Sequence, residues 1–159
     1  MQLELTVRDF EPEDLADADW SGESEHVQAL AEALTATYTQ EVVLLVVALP
    51  NGRLVAIGAV DFRKVSDAGS IWMLSVHETF QGMGVGALLI RALEQRTRQA
   101  GLHVARLTVE HDNPRAALLY RRLGYRAVGS ALESWPVAGG RTYVTVTSVL
   151  ERRLPVLDA

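Results

Sequence analysis

Cysteine is absent from this sequence of 159 residues. Its absence excludes disulfide bonds, thiolate metal sites and any mechanism in which a cysteine carries an acyl group. The four histidines are scattered and show none of the paired spacings typical of metal ligands. We therefore expect no bound metal.

Long hydrophobic runs are also missing. The longest apolar run extends from Val42 to Leu49, well short of the ~20 residues that a membrane-spanning helix needs. The first residues, MQLELTVRDF, have neither the charged head nor the apolar core of a signal peptide. These features predict a soluble cytoplasmic protein without a membrane partner.

Basic residues are missing from much of the first third of the chain. Between Arg8 and Arg53 there is no lysine or arginine. The same stretch holds ten acidic residues: Asp9, Glu11, Glu13, Asp14, Asp17, Asp19, Glu23, Glu25, Glu32 and Glu41. The rest of the chain is more basic than acidic, although the net charge is −5. This asymmetry makes the chain a poor candidate for wrapping nucleic acid, but it allows separate anion and cation sites.

Hydrophobic periodicity predicts the elements of the first half. Leu3, Leu5 and Val7 alternate as in a strand. Two helix-prone segments follow, EPEDLADADW and SEHVQALAEALTATY, the second with Ser24 as its N-cap. Two β-branched runs separated by PNG predict a hairpin, and GSIWMLSVH predicts a fourth strand.

The second half alternates helices and strands. A helix is predicted from Gly84 to Ala100, ended by Gly101, and it is followed by the strand VARLTVE. A short helix begins after Asn113 and ends at Gly124. The strands YRAVGSALES and RTYVTVTSVLERR then flank a loop, WPVAGG. Without a repeat or linker, this order predicts one mixed α/β domain over residues 1–159, with helices on both faces of one sheet.

Three of the 12 glycines lie within five positions, at Gly82, Gly84 and Gly86. They stand between a predicted strand and a helix start, where unpaired N–H groups and the helix dipole attract an anion. A P-loop would need Gly-Lys-Ser/Thr, and a dinucleotide fingerprint would need G-x-G-x-x-G, so neither motif fits. A phosphate cradle and a merely flexible loop remain as the two interpretations.

Two motifs together resemble the GNAT superfamily of acyl-CoA N-acyltransferases. The first is QGMGVG, residues 81–86, and the second is LTVEHDNPRAALLYRRLGY, residues 107–125. The resemblance covers the order of elements over essentially the whole chain. It implies an α/β fold with a mixed, centrally splayed sheet of about seven strands and helices on both faces.

The resemblance also implies a cofactor site for acetyl-CoA. The backbone of Leu74 and Val76 would pair with the pantetheine arm. The loop residues implied to hold the pyrophosphate are Gln81, Gly82, Met83, Gly84, Val85, Gly86 and Ala87. Asn113 and Tyr120 complete the implied cofactor contacts. One or two of the arginines around the short helix could meet the 3′-phosphate, with no residue singled out.

The implied catalytic residues are Tyr120, Val76 and Glu110. Tyr120 corresponds to the family's general acid, and the backbone N–H of Val76 would stabilise the developing oxyanion. The strand carboxylates of many relatives are missing, because SIWMLSV has none and Thr108 stands at the alternative position. Glu110, two residues further along, is the best-placed substitute on the strand, and a water chain ending on Glu110, His111 or Glu78 is the alternative.

The predicted activity is therefore transfer of an acetyl group from acetyl-CoA to a primary amine, by direct attack in a ternary complex. The acceptor is expected to be cationic, either a small-molecule amine or a basic peptide terminus, because the acidic segments would wall its side of the site. A non-catalytic acyl-CoA sensor or scaffold on the same fold is the alternative. A two-fold homodimer through the late strands is the expected assembly.

Overall fold

The computed structural model describes residues 4–156. Within them lie seven strands: β1 Thr6–Asp9, β2 Val42–Ala48, β3 Leu54–Val65, β4 Ala68–Val76, β5 Val104–Glu110, β6 Arg126–Val137 and β7 Arg141–Arg153. The α-helices are α1 Ser24–Thr37, α2 Val85–Gln99 and α3 Pro114–Arg122. Short 3-10 turns occupy Pro12–Asp17, Asp19–Ser21, Glu78–Phe80 and Ala138–Gly140.

The strands form one mixed sheet in the order β1-β2-β3-β4-β5-β7-β6. Neighbouring strands are antiparallel except β4 and β5, which are parallel. The seven-stranded sheet with helices on both faces confirms the predicted fold class. Its one parallel pair, in the middle of the sheet, is also the place where the pairing is shortest.

The apolar run that begins at Val42 becomes β2, a strand buried on both faces. Val42, Leu44 and Val46 pack in the core that contains α1, whereas Leu45 and Val47 pack in the core that contains α2. Each face therefore carries its own helix layer, which explains why this strand shows no polar alternation. The predicted hairpin between β2 and β3 is confirmed.

The acidic segment EPEDLADADW forms 3-10 turns and not the α-helix that its composition predicts. The Asp14 carboxylate accepts hydrogen bonds from Arg8 at 2.7 Å and from the backbone N–H of Glu11 at 2.7 Å. These contacts pin the segment to β1 and close it with the short i+3 spacing, Asp14 N–H to Glu11 O at 2.9 Å. The turn therefore ends after six residues.

Three other boundaries differ or fall outside the described part. Ser24 is the first residue of α1 and not its N-cap, because its hydroxyl donates to the Glu25 carboxylate at 3.2 Å. Strand β6 continues through Trp135 to Val137, so the predicted loop WPVAGG shrinks to its last three residues. Leu3 lies outside the described residues. Across residues 4–156, no helix is both long enough and apolar enough to span a membrane.

Candidate active site

Strand β4 keeps its pairing with β5 over only a short stretch. The two parallel strands pair at Gly69 with Ala105 and at Ser70 with Arg106, although β4 continues to Val76. The strands therefore separate after Ser70, which confirms the predicted splay. The separation leaves the second half of β4 with one free edge.

A β-bulge shapes this free half of β4. The register between β3 and β4 shifts between Ile57 and Ala59, and Met73 adopts a positive φ of 60°. Gly58 on β3 lies opposite, where an added Cβ would come within 2.8 Å of the Leu74 side chain. Glycine at position 58 thus gives Leu74 the room to pack beneath the bulge. The sequence alone indicated neither the bulge nor the role of Gly58.

The ladder geometry shows where the backbone of Val76 points. The N–H of His77 donates to the carbonyl of Val55 at 2.8 Å, and Val76 stands opposite Ala56. In an antiparallel ladder this makes Ala56 and Val76 a non-hydrogen-bonded pair, whose own N–H and C=O groups point away from each other's strand. The N–H of Val76 therefore faces the gap, and by the two-residue period so does that of Leu74.

The glycine loop follows directly and is tied back to β4. The side-chain amide of Gln81 donates to the carbonyl of Val76 at 3.1 Å. Gly82 and Gly84 have φ values of 79° and 81°, a region that favours glycine. Gly84 is the N-cap of α2, so the free N–H groups of the first turn point out of the loop. Gly86 has an ordinary φ, and a Cβ there would make only normal contacts, at 3.6 Å from the Val76 side chain.

Helix α3 places two of its residues at this loop. The Asn113 side chain accepts from the N–H of Ala116 at 3.3 Å and caps the helix, as predicted. Its amide NH₂ donates to no group among residues 4–156 and is free for a ligand. The Arg115 guanidinium lies beside the loop, 3.8 Å from the position that a Cβ on Gly82 would occupy. The positive charge of Arg115 therefore lies next to the anion cradle.

Tyr120 lies on α3 with its ring against the core, together with Ala116 and Leu123. Its ring meets that of Tyr125 edge-on, with centroids 6.4 Å apart. Burial raises the pKa of the Tyr120 hydroxyl, so this group keeps its proton at neutral pH. No hydrogen-bond partner for that hydroxyl occurs in the described part of the chain. Tyr120 is one of the residues that line a cavity.

This cavity, which we call the central cavity, has a volume of 890 Å³. It opens beside the free half of β4 and receives residues from α1, β3, β4, β5, α3 and β6. Its lining includes Trp72, Leu74, Thr108, Tyr120, Glu133 and Trp135. A smaller cavity of 420 Å³ is lined by Val76, His77, Glu78 and Gln81 among others. The two cavities share Ser21, Leu74 and Ser75 in their linings, so both border the free half of β4.

The predicted base candidates do not all reach the central cavity. Glu110 ends β5 and is half-buried; its carboxylate accepts from the Tyr143 hydroxyl at 3.4 Å, outside the cavity lining. His111 follows on the exposed turn. Glu78 lines the smaller cavity. The predicted base role of Glu110 is tested by none of these contacts and stays a prediction.

The cavity contains groups that the sequence did not single out. Glu133 and Trp135 come from β6, and Trp72 comes from β4. The Trp135 ring packs at a tilt against that of Tyr143 on β7, with centroids 4.9 Å apart. Since aromatic cross-strand pairs stabilise antiparallel ladders, this pair helps to extend β6 beyond its predicted end. The pairing of β6 with β7, and of β7 with β5, brings Glu133 and Trp135 to the cavity.

The geometry fits the implied acetyl-CoA ligand. A free strand edge can bond an amide-rich arm, and a left-handed glycine turn at a helix N-terminus can bind a diphosphate.

The acidic segment before Arg53 has fewer carboxylates free to attract a cationic acceptor than predicted. Asp14 and Asp17 make structural hydrogen bonds, the latter with the Leu54 N–H at 3.0 Å. Residues 4–156 contain no cluster of three or more His, Asp or Glu side chains suited to a metal ion.

Sequence comparison gives one family and several partial relatives. Residues 5–125 match the model of the acetyltransferase (GNAT) family. The mycothiol acetyltransferase of Arthrobacter sp. (strain FB24) is 35% identical over 72 residues, which is 45% of this chain and 22% of that protein. The matched segment spans only about a third or less of the curated relatives' own length.

Solved structures share the fold over nearly the whole chain. A chimera of the Vibrio cholerae spermidine N-acetyltransferase SpeG with hSSAT has a TM-score of 0.74 at 21% identity, covering 94% of this chain and 95% of that one. The structure of yncA from Salmonella typhimurium with its cofactor acetyl-CoA has a TM-score of 0.72 at 19% identity, covering 98% and 97%. The family model matches residues 5–125, which is most of this chain, and both sequence motifs lie at the splayed strands. This chain therefore belongs to the GNAT acetyltransferase family.

Proposed function

We propose that this protein is an N-acetyltransferase that transfers the acetyl group of acetyl-CoA to a primary amine by direct attack in a ternary complex. One observation carries the proposal. The free half of β4 lines the central cavity and leads directly into the glycine loop, so a thioester held along this strand edge would lie next to an amine in the cavity. Tyr120 lines the same cavity.

Acetyl-CoA supplies an activated acetyl group on sulfur. Leu74 and Val76 hold its arm through their outward-facing backbone groups. The N–H groups of the loop bind the diphosphate, and Arg115 adds a positive charge beside Gly82. Gln81 keeps the loop at a fixed distance from β4 through its bond to the Val76 carbonyl.

Two residues stabilise charge that develops during transfer. The N–H of Val76 points into the gap, where it can donate to an oxygen that becomes negative. Tyr120 stays protonated at neutral pH, since burial raises its pKa, and it can give that proton to a departing thiolate. The absence of cysteine excludes an acyl-cysteine intermediate, and in this proposal the amine attacks the thioester directly.

The acceptor is a cationic amine, either a small molecule or a basic peptide terminus. Two carboxylates line the central cavity, those of Glu25 and Glu133. Two tryptophans, Trp72 and Trp135, provide an apolar surface at the same place. A similar fold, at 21% identity, belongs to the spermidine N-acetyltransferase chimera, which supports an amine acceptor at the level of reaction class only.

A two-fold homodimer belongs to the same proposal. Strand β6 is at the edge of the sheet, and the β6–β7 hairpin exposes Val128, Leu132, Val144 and Val146. Exposed apolar side chains on an edge hairpin favour association with a second copy. Sedimentation equilibrium measures this directly, and a monomer throughout the micromolar range would contradict it.

The activity is tested by free-thiol release from acetyl-CoA with a panel of amines: polyamines, aromatic alkylamines, amino acids and peptides with basic termini. We expect release with at least one amine, together with an acetylated product of the matching mass. Cofactor binding without release for every class would instead support a non-catalytic acyl-CoA sensor.

A further inference from the structure

Glu133 brings a carboxylate into the central cavity from an unexpected strand. It lies on β6 opposite Thr145 of β7 and shares a face with Ala131 and Trp135. Its side chain is half-buried. β6 is the edge strand beyond β7. The residues near β4 and β5 in the sequence therefore do not predict that a β6 side chain reaches this cavity.

Thr108 holds the Glu133 carboxylate in place. The Thr108 hydroxyl lies 3.1 Å from Oε1 and 3.0 Å from Oε2 of Glu133. A hydroxyl has one proton to donate, so it satisfies one of these oxygens at a time and leaves the other able to accept. Thr108 lies on β5, so the bond ties the β6 carboxylate to the strand that borders the gap.

The two basic groups that line the cavity, Lys64 and Arg106, each contact another side chain. The Lys64 ammonium lies over the Trp72 ring, 5.6 Å from its centroid. The Arg106 guanidinium donates to the Glu151 carboxylate at 2.8 Å. The remaining titratable groups that line the cavity are Glu25 and His26 from α1 and Tyr120 from α3.

Glu133 itself has no cationic partner within 4 Å among residues 4–156. A half-buried carboxylate that accepts one hydroxyl bond is expected to recruit a cation to its free oxygen. In this cavity, a primary ammonium group entering beside the free half of β4 would satisfy it.

We propose that Glu133 is the catalytic base of the acetyl transfer, and this inference rests on the proposed function. The Glu133 carboxylate takes one proton from the acceptor's ammonium group, leaving a neutral amine. The amine nitrogen forms the C–N bond, and the C–S bond breaks. The nitrogen's second proton replaces the one that Tyr120 gives to the thiolate, and Glu133 releases its proton to solvent.

The fraction of the acceptor amine that is neutral at pH 7 shows how much a base can contribute. An alkylammonium with a pKa near 10.4 is about one part in 2,500 neutral at pH 7. A positioned base that removes this proton in the site typically accelerates the reaction by about 10²-fold or more. Thr108 acts through Glu133 and is a positioning residue.

The test uses an amine that turns over in the thiol-release assay and measures kcat/KM from pH 6 to pH 10. In the wild type, kcat/KM should level off well below the pKa of the amine. In Glu133→Gln it should fall by about 10²-fold at pH 7 and then rise with pH as free amine forms. Glutamine can still accept from Thr108, which protects the fold, and Glu133→Asp should restore the plateau at a lower kcat.

A binding measurement separates this role from a structural one. Calorimetric titration of the same amine at pH 7, without acetyl-CoA, should show about tenfold weaker affinity in Glu133→Gln, the usual effect of losing one charged hydrogen bond. The matching alcohol should bind both proteins equally. Thr108→Val should lower kcat and Thr108→Ser should recover it. Glu32→Gln, an exposed carboxylate on α1 away from the cavity, is the control for loss of charge.

The outcomes separate the two proposals. No thiol release with any amine overturns the proposed function and this inference together. Turnover with an unchanged pH profile in Glu133→Gln overturns the inference alone. Loss of the plateau in Glu110→Gln or in His26→Asn, with the plateau kept in Glu133→Gln, assigns the base to one of those residues and also overturns it.

Discussion

At the scale of single residues, Tyr120 shows how a packing position becomes a chemical one. Its ring packs against the core and Tyr125, and the residue also lines the central cavity. The same burial that fixes the ring raises the pKa of the phenol. A group that stays protonated at neutral pH suits a general acid better than a general base.

Tyr120→Phe removes this hydroxyl and keeps the ring. We expect turnover to fall by about 10²-fold or more, with acetyl-CoA affinity nearly unchanged, because the cofactor contacts of the loop remain. Stopped-flow or thiol-release kinetics give kcat, and calorimetry gives the affinity. A wild-type rate in the variant would mean that water protonates the leaving thiolate.

Two glycines of equal backbone conformation allow a matched test of the loop. Gly84 at the start of α2 has a φ of 81°, and Gly101 after its end has a φ of 86°. An added Cβ would meet nothing within 4 Å at either position. Gly84→Ala and Gly101→Ala should therefore each lose about 1–2 kcal/mol of unfolding free energy from the left-handed backbone alone.

The two variants should differ only in their response to acetyl-CoA. At about 100 times its dissociation constant the ligand adds about 2.7 kcal/mol, which raises Tm by about 5–10 °C for a domain of this size. Gly101→Ala should keep this rise and Gly84→Ala should lose most of it. Differential scanning fluorimetry decides, and no rise in the wild type would contradict the cofactor assignment.

At the scale of elements, local patterns predicted what local geometry determines. The Asn113 cap, the Gly101 terminator, the β2–β3 hairpin and the glycine turn depend on residues within a few positions of one another. These features could be predicted from the sequence because the interactions that form turns and helix caps act over short sequence distances.

Features that depend on residues far apart in the sequence could not be predicted from it. The bulge at Met73 depends on Gly58 across the ladder, and the place of Glu133 depends on two strands that the chain reaches later. The buried Glu94 carboxylate of α2 is another example, since it accepts from the Tyr125 hydroxyl at 2.7 Å and from Arg152 at 3.0 Å. In the sequence, Glu94 reads as an ordinary helix-surface charge.

Two aspartates that are paired with arginines predict how stability depends on pH. Burial by itself would raise the pKa of Asp14, but the hydrogen bonds from Arg8 and from the Glu11 N–H outweigh it and the pKa is lowered. Asp61 of β3 behaves alike, because burial is outweighed by the side-chain and backbone bonds from Arg63. Both carboxylates bind protons less readily in the folded state than in the unfolded chain.

These two groups contribute stability above the ordinary aspartate pKa of about 3.9 and lose it as the pH falls through their lower folded values. The unfolding free energy from urea titrations should therefore hold from pH 7 to about pH 5 and then decline. Asp14→Asn and Asp61→Asn should each flatten that decline. Asp67→Asn, at an exposed residue of the β3–β4 turn, should leave the slope unchanged, and equal slopes in all the proteins would contradict the assignment.

At the scale of the whole molecule, the candidate active site lies where strands β4 and β5 separate. The parallel strands β4 and β5 part after two paired positions, and each motif of the sequence comes to the opening from one side. The glycine loop follows β4, and the short helix with Tyr120 follows β5. Ligands of open α/β sheets bind where strand order changes in this way.

The charge asymmetry of the chain is redistributed by folding. Of the ten acidic residues between Arg8 and Arg53, Asp9, Asp14 and Asp17 are paired with arginines. Glu25 is the one among the ten that lines the central cavity. Joint neutralisation of Asp14 and Asp17 would damage the fold, so attraction of a cationic acceptor has to be tested at Glu25.

Electrostatic attraction of the acceptor predicts a rate that falls with salt. The Debye length shortens from about 30 Å at 0.01 M to about 8 Å at 0.15 M, so kcat/KM for an active cationic amine should decrease severalfold over this range. Glu25→Gln should lower kcat/KM at 0.01 M and reduce its dependence on salt, with kcat little changed because encounter and not chemistry is affected. Glu32→Gln is the matched control, since it removes the same charge from an exposed position of the same helix outside the cavity. If kcat/KM is independent of salt and is unaffected by Glu25→Gln, the acceptor is selected by the shape of the cavity between Trp72 and Trp135 and not by charge.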